Sequence, residues 1–71
     1  MMITLEQIRN NLQEELKLCG LSQSEIARRL NLSPRTVCHY FHGKKMPALD
    51  TFANLCKVLD FDPAQILGLD K

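Results

Sequence analysis

Residues 21–47, LSQSEIARRLNLSPRTVCHYFHGKKMP, set two Ser-led helix starts close together, at Ser22 and Ser33, and crowd Arg, His and Lys around the second. Ser22-Gln23-Ser24-Glu25 has the form of a capping box, in which a hydroxyl accepts a backbone N–H and the acidic side chain reaches back. Ile26, Ala27 and Leu30 then turn inward, and Asn31 suits the left-handed conformation that ends a helix. Ser33 is the next N-cap, and Pro34 fits the first helical position, where its missing N–H costs nothing. Gly43 supplies the stop. At about 100° of turn per residue, Val37, Tyr40 and Phe41 gather into one apolar stripe, whereas Arg35, Thr36, Cys38, His39 and His42 fall outside it. The short link between these helices forces them to pack closely at a steep angle, and the small side chain of Ala27 permits the approach.

Working outward, Thr4-Leu5-Glu6-Gln7 reads as a capping box, followed by an apolar face of Leu5, Ile8, Leu12, Leu16 and Cys19 with Gly20 as its left-handed stop. After the Lys44–Pro47 loop, Leu49, Phe52, Leu55, Cys56 and Leu59 mark a fourth helix. Its cap is poor, because Ala48 stands where Ser or Asp would be better, although Asp50 suits the positive end of the dipole. Asp62-Pro63 opens a short fifth helix carrying Ile66 and Leu67. No segment alternates with period two, and no repeat appears. The expectation is an all-α fold of five helices in one domain spanning 1–71, with its central motif at about 22–42.

Composition narrows the function classes. A chain of 71 residues is near the lower limit for an independent core, and its 45% hydrophobic content is ordinary for a globular protein. No apolar run approaches the ~20 residues of a membrane span, and no secretory leader is evident, so a soluble intracellular protein is expected. Three cysteines without CxxC spacing argue against a disulfide framework. The net charge of +1 conceals a division. Residues 21–45 hold Arg28, Arg29, Arg35, Lys44 and Lys45 against Glu25, a net of +4. Residues 1–20 carry Arg9 and Lys17 against Glu6, Glu14 and Glu15, a net of −1, and residues 46–71 carry Lys57 and Lys71 against Asp50, Asp60, Asp62 and Asp70, a net of −2. A positive middle with negative flanks suits contact with a polyanion through one face.

Two short helices at a steep angle, the second presenting donors, form a helix-turn-helix, whose exposed face fits the DNA major groove. Arg can donate two hydrogen bonds to guanine, and the helix N-termini at Ser22 and Ser33 offer partial positive charge to phosphates. The stretch resembles the phage-repressor (Cro-type or XRE-type) helix-turn-helix family. The matching residues are Gln23, Ala27, Val37, Tyr40, Gly43, Lys44, Lys45 and Pro47, in order, and the likeness runs roughly from Ile8 to Leu69. "NLSPRTVCHYFHGKK" is also similar to the lac-repressor type, but here a complete helix precedes the motif.

That resemblance implies a lambda-repressor-like, double-stranded-DNA-binding domain, a transcriptional repressor or other regulator of a bacterium, its phage or a mobile element, working in the cytoplasm at the nucleoid. Pro34, Arg35, Thr36 and His39 would face bases or the adjoining backbone. Ser22, Gln23, Ser33, Lys44 and Lys45 would hold phosphates. One module offers few base contacts, so a homodimer on two half-sites is expected, with Ile66, Leu67 and Leu69 either forming the contact or simply closing the core. Two positions depart from the family pattern. Asn31 stands where Gly is common, and tolerates the same backbone. Leu16 and Phe41 replace an Arg–Glu pair, and an apolar contact in place of a buried ion pair is often neutral or stabilising; Leu16 is expected to pack on Phe41.

Plainer roles compete for several residues. Arg29 lies one turn after Glu25 and can form an ordinary helix pair, whereas Arg28 has no such assignment. Cys38 and His42 are too few for a structural zinc site, and Cys19 and Cys56 read as core residues, so no metal is expected. Tyr40 shares the stripe of Val37 and reads as core rather than a stacking platform. No paired carboxylates, nucleophile–base set or Gly-rich phosphate loop point to an enzyme, and no cofactor or small-molecule ligand is implied. The rival to a DNA-binding role is a helix-turn-helix module that regulates another DNA-binding protein.

Overall fold

The computed structural model describes residues 2–70 and is built from helices alone among them. Their order is α1 (Leu5–Leu18), α2 (Gln23–Leu30), α3 (Pro34–Phe41), α4 (Leu49–Leu59) and α5 (Pro63–Leu67). The boundaries follow the caps read from the sequence. Thr4 Oγ1 accepts the Gln7 N–H at 3.2 Å while Gln7 Oε1 accepts the Thr4 N–H at 3.0 Å, completing the box at α1. Ser33 caps α3 with Pro34 in its first turn, and Asp62 caps α5. Ala48 caps α4 with no side-chain bond.

The box expected at Ser22 is only half made. Ser22 Oγ accepts the Glu25 N–H at 3.1 Å, but the Glu25 carboxylate turns instead to Arg28 and Arg29. Charge-assisted bonds to two guanidinium groups outcompete one to a neutral amide.

Four helices end alike, each on a left-handed residue whose successor reaches back to close the last turn. At Asn31 (φ 55°) the Leu32 N–H bonds the Ala27 carbonyl at 2.9 Å, and after Gly43 the Lys44 N–H bonds that of His39 at 2.9 Å. Asp60 and Gly68 are followed by the same closure, Phe61 to Cys56 at 3.0 Å and Leu69 to Ala64 at 2.8 Å. This arrangement satisfies carbonyls that a helix end otherwise strands.

Every helix contributes to one core: Leu12 and Leu16 from α1, Ile26 and Ala27 from α2, Val37 and Tyr40 from α3, Leu55 and Cys56 from α4, and Ile66 from α5, with Phe61 from the α4–α5 link. No polar or charged residue is buried among them. α2 packs on α3 and α4, and α1 packs on α3 and α5. Leu16 is fully buried and Phe41 half-buried against the same core, so both positions of the replaced ion pair are apolar and inward. Cys56 is buried as expected, and burial raises its thiol pKa. Cys19 is only half-buried, its thiol donating to the Leu16 carbonyl at 3.2 Å.

The last helix decides between the two roles open to Ile66. Ile66 is wholly enclosed, and its carbonyl accepts the Asn11 side-chain amide at 3.0 Å. It closes the core and offers nothing to a partner subunit, although Leu69 is exposed. No helix among the described residues is long and apolar enough to cross a membrane.

The tight join of α2 to α3 is open to a direct check. Ala27 is 3% exposed, and Ala27→Leu adds three carbons where none fit. The substitution is expected to destabilise by about 1–3 kcal/mol, as overpacking does. Thermal melting reads the change, and an unshifted midpoint rules out close packing there.

Candidate nucleic-acid interface

α3 is divided lengthwise by burial. Val37 is fully enclosed and Tyr40 nearly so, with the burial of its ring raising the phenol pKa. On the remaining face Pro34 and Arg35 are exposed, Thr36, Cys38 and His39 are half-buried, and His42 is exposed at the C-terminal cap. The polar side read from the helical period therefore faces solvent, while its apolar stripe joins the core.

Hydroxyl groups at the front of α3 are already partly engaged. Ser33 Oγ accepts the Thr36 N–H at 3.1 Å and lies 2.8 Å from Thr36 Oγ1. One hydroxyl bonds the other, so the pair retains a single O–H to donate outward. Ser22 Oγ accepts the Glu25 N–H and keeps its own proton for another partner. Gln23, the first residue of α2, is half-buried, and no protein partner holds its side chain among the described residues.

The cations of the motif are not equivalent. Arg29 Nε donates to Glu25 at 2.7 Å, and Arg28 Nε donates to the same carboxylate at 3.1 Å, with a second contact from the Arg28 terminal nitrogen. Arg28 thus has the partner that the sequence left unassigned, on the helix face it shares with its i−3 neighbour. The two guanidinium groups, Arg28 before Arg29, hold the Glu25 carboxyl down at about 2. One anion is shared by two of the five cations between residues 21 and 45. Arg35, Lys44 and Lys45 have no acidic partner among the described residues, and all three are exposed. The positive field is accordingly concentrated on the first turn of α3 and the loop behind it.

That loop is held in place by α1. Gly43 has φ +69°, and a Cβ there would come within 2.8 Å of Gln13 Oε1 and 3.1 Å of Arg9 Cδ. The positive φ favours glycine, and a Cβ there would have to displace the Gln13 and Arg9 side chains. Gln13 Nε2 also donates to the Phe41 carbonyl at 3.0 Å, tying the end of α3 to α1. Neither Arg9 nor Gln13 stands out in the chain, because each reads as an ordinary polar residue bordering the α1 stripe. Their spacing of one turn was the available signal. Surface hollows run along α1 and α5, lined by residues such as Asn11, Glu14, Gln65 and Ile66, and none of their lining comes from α3. The exposed side of α3 borders neither of these hollows.

A family model described as Helix-turn-helix matches residues 12–66, from within α1 into α5. No curated protein and no solved structure matches the chain.

Because the Glu25 carboxyl moves from an ordinary 4.5 down to about 2 on folding, the unfolded chain binds more protons between those values. The stabilisation is fully present above the upper value and is lost as pH falls toward the lower one. Between them the melting midpoint of the parent protein should fall more steeply than that of Glu25→Gln, by an amount that added salt shrinks. Parallel profiles for the two proteins would show that the pairing does not form in solution.

Proposed function

Because this chain belongs to the phage-repressor (Cro/XRE-type) helix-turn-helix family of DNA-binding proteins, we propose that it is a transcriptional repressor that reads a specific duplex sequence with the outward face of α3. One observation carries the reading. The exposed side of α3 presents Arg35 beside half-buried His39 and Thr36, two lysines follow at its C-terminal end, and none of the three cations is paired among the described residues.

In this arrangement α3 enters the major groove, and α2 lies across it. Arg35 is placed to give a bidentate contact to guanine O6 and N7, with His39 one turn further along the same side. Pro34 lies against the groove wall and Thr36 beside it. The Ser22 hydroxyl, the Gln23 amide and the free N–H groups at the start of α2 hold a phosphate on one flank. The proton shared by Ser33 and Thr36 serves a second, and Lys44 and Lys45 grip the backbone on the far flank. Arg28 and Arg29, neutralised in part by Glu25, contribute little to this grip.

A single module reaches few base pairs, so the protein acts as a homodimer on half-sites about 34 Å apart. Repression follows from occupancy of a promoter. Ile66 belongs to the core, so the contact between subunits uses other residues, of which Leu69 is exposed and nearby in sequence.

Selection of bound duplexes from a random pool, at two salt concentrations, tests the reading. A single recovered motif, with affinity falling steeply as salt rises, is the expected result; binding that ignores both sequence and salt overturns it. Within the same experiment Arg35→Ala should lose about 1–3 kcal/mol on the preferred site and relax one base pair. Lys44→Ala should weaken every duplex alike. If Arg35→Ala returns the parent's motif unaltered, Arg35 takes no part in the readout.

A further inference from the structure

Arg9 has no place in the motif, yet it sits at the loop that carries the paired lysines. Its Cδ lies 3.1 Å from the point where a Cβ on Gly43 would stand, so its stem packs on the residue immediately before Lys44 and Lys45. The Nε is buried with no acceptor, and no carboxylate pairs with the guanidinium among the described residues. Glu6, one turn earlier on α1, does not reach it, since both ion pairs found belong to Glu25. Arg9 also precedes the region matched by the family model, which begins at residue 12, and stands on the stretch of α1 that starts at Leu5.

We propose that Arg9 completes a phosphate-binding cluster with Lys44 and Lys45 and grips the DNA backbone from α1, outside the helix-turn-helix itself. The inference rests on the DNA-binding reading of α3. Three cations gathered at one loop without an internal anion repel one another, and a polyanion removes that repulsion. The stem and the buried Nε hold the guanidinium against this loop, and no ion pair among the described residues fixes its orientation. A planar guanidinium in that state can meet a phosphate with two parallel N–H donors, which lysine cannot do. The site is fixed by the Gln13–Phe41 bond and by the Lys44 N–H bonded to the His39 carbonyl, so the cluster moves with α3 as a unit.

The salt dependence of binding to a random-sequence duplex separates this role from a structural one. Each phosphate contact contributes about 0.9 to the slope of log affinity against log salt. Arg9→Gln should lower the slope by about that much and weaken all duplexes by the same factor, as Lys44→Ala does, while Arg9→Lys restores the slope. In the unsubstituted protein the Arg9 Nε–H resonance should shift when duplex is added, a readout that does not depend on any variant folding. Should Lys44→Ala lower the slope while Arg9→Gln leaves it intact, or should the Arg9 resonance stay still while that of Arg35 moves, Arg9 is only packing for Gly43 and the inference fails alone. If the unsubstituted protein shows no salt-dependent binding, the DNA-binding reading fails first and takes this one with it.

Discussion

The turn at Asn31 is the constraint on which the exposed surface depends. Its left-handed backbone, closed by the Leu32 N–H on the Ala27 carbonyl, ends α2 just before the Ser33 cap that starts α3. Ala27 on one side and Val37 on the other are buried, so the second helix cannot rotate about its axis without pulling Val37 or Tyr40 into water. Exposing either side chain would lose about 1.5–3 kcal/mol of apolar burial. The direction in which Arg35 and His39 point is therefore set by the apolar residues beneath them. Asn serves at the turn because its short polar side chain tolerates positive φ, at a position where a β-branched residue would strain.

A core without buried charge leaves the electrostatics to the surface, where they are divided unevenly. Glu25 could have completed the N-terminal cap of α2, but it partners Arg28 and Arg29 instead. The consequence is selective. Glu25 cancels one of the two positive charges on α2, whereas Arg35 and the lysines after Gly43 keep their full charge. Exposed pairs of this kind add little to stability. Their effect is on how charge is distributed, since α2 keeps one net positive charge and the pair after Gly43 keeps two.

The local features of the fold were legible because short-range chemistry encodes them. Thr4, Ser22, Ser33 and Asp62 mark helix starts through hydroxyl or carboxylate groups that accept nearby N–H donors, and the three-to-four residue spacing of Leu12, Leu16, Ile26, Val37 and Tyr40 marks the buried faces. The polar side of α3 follows from that spacing. What escaped notice depends on contacts between distant segments. Asn11 bonds Ile66 and Gln13 bonds Phe41, across separations of 55 and 28 residues, and neither amide differs in the chain from a solvated one. Whether Ile66 meets a partner or closes the core is not legible, because a five-residue helix is too short for its period to show which side is covered. The left-handed Asp60 was missed for another reason, since Asp is an uncommon choice where Gly or Asn usually ends a helix.

Leu16 and Phe41 stand where the family resemblance implies an Arg–Glu pair, and that bears on what holds α3 in place. Apolar burial and the neutral Gln13–Phe41 amide bond now join α3 to α1, and neither weakens when ions screen charge. The surface proposed to meet DNA is the reverse, since its cations act through a field that salt screens strongly. Interior attachment and outer recognition thus run on different chemistry in this chain. Raising the ionic strength should loosen the grip on a polyanion while leaving the orientation of α3 untouched, so a salt titration reports on the outer contacts with little interference from the fold beneath them.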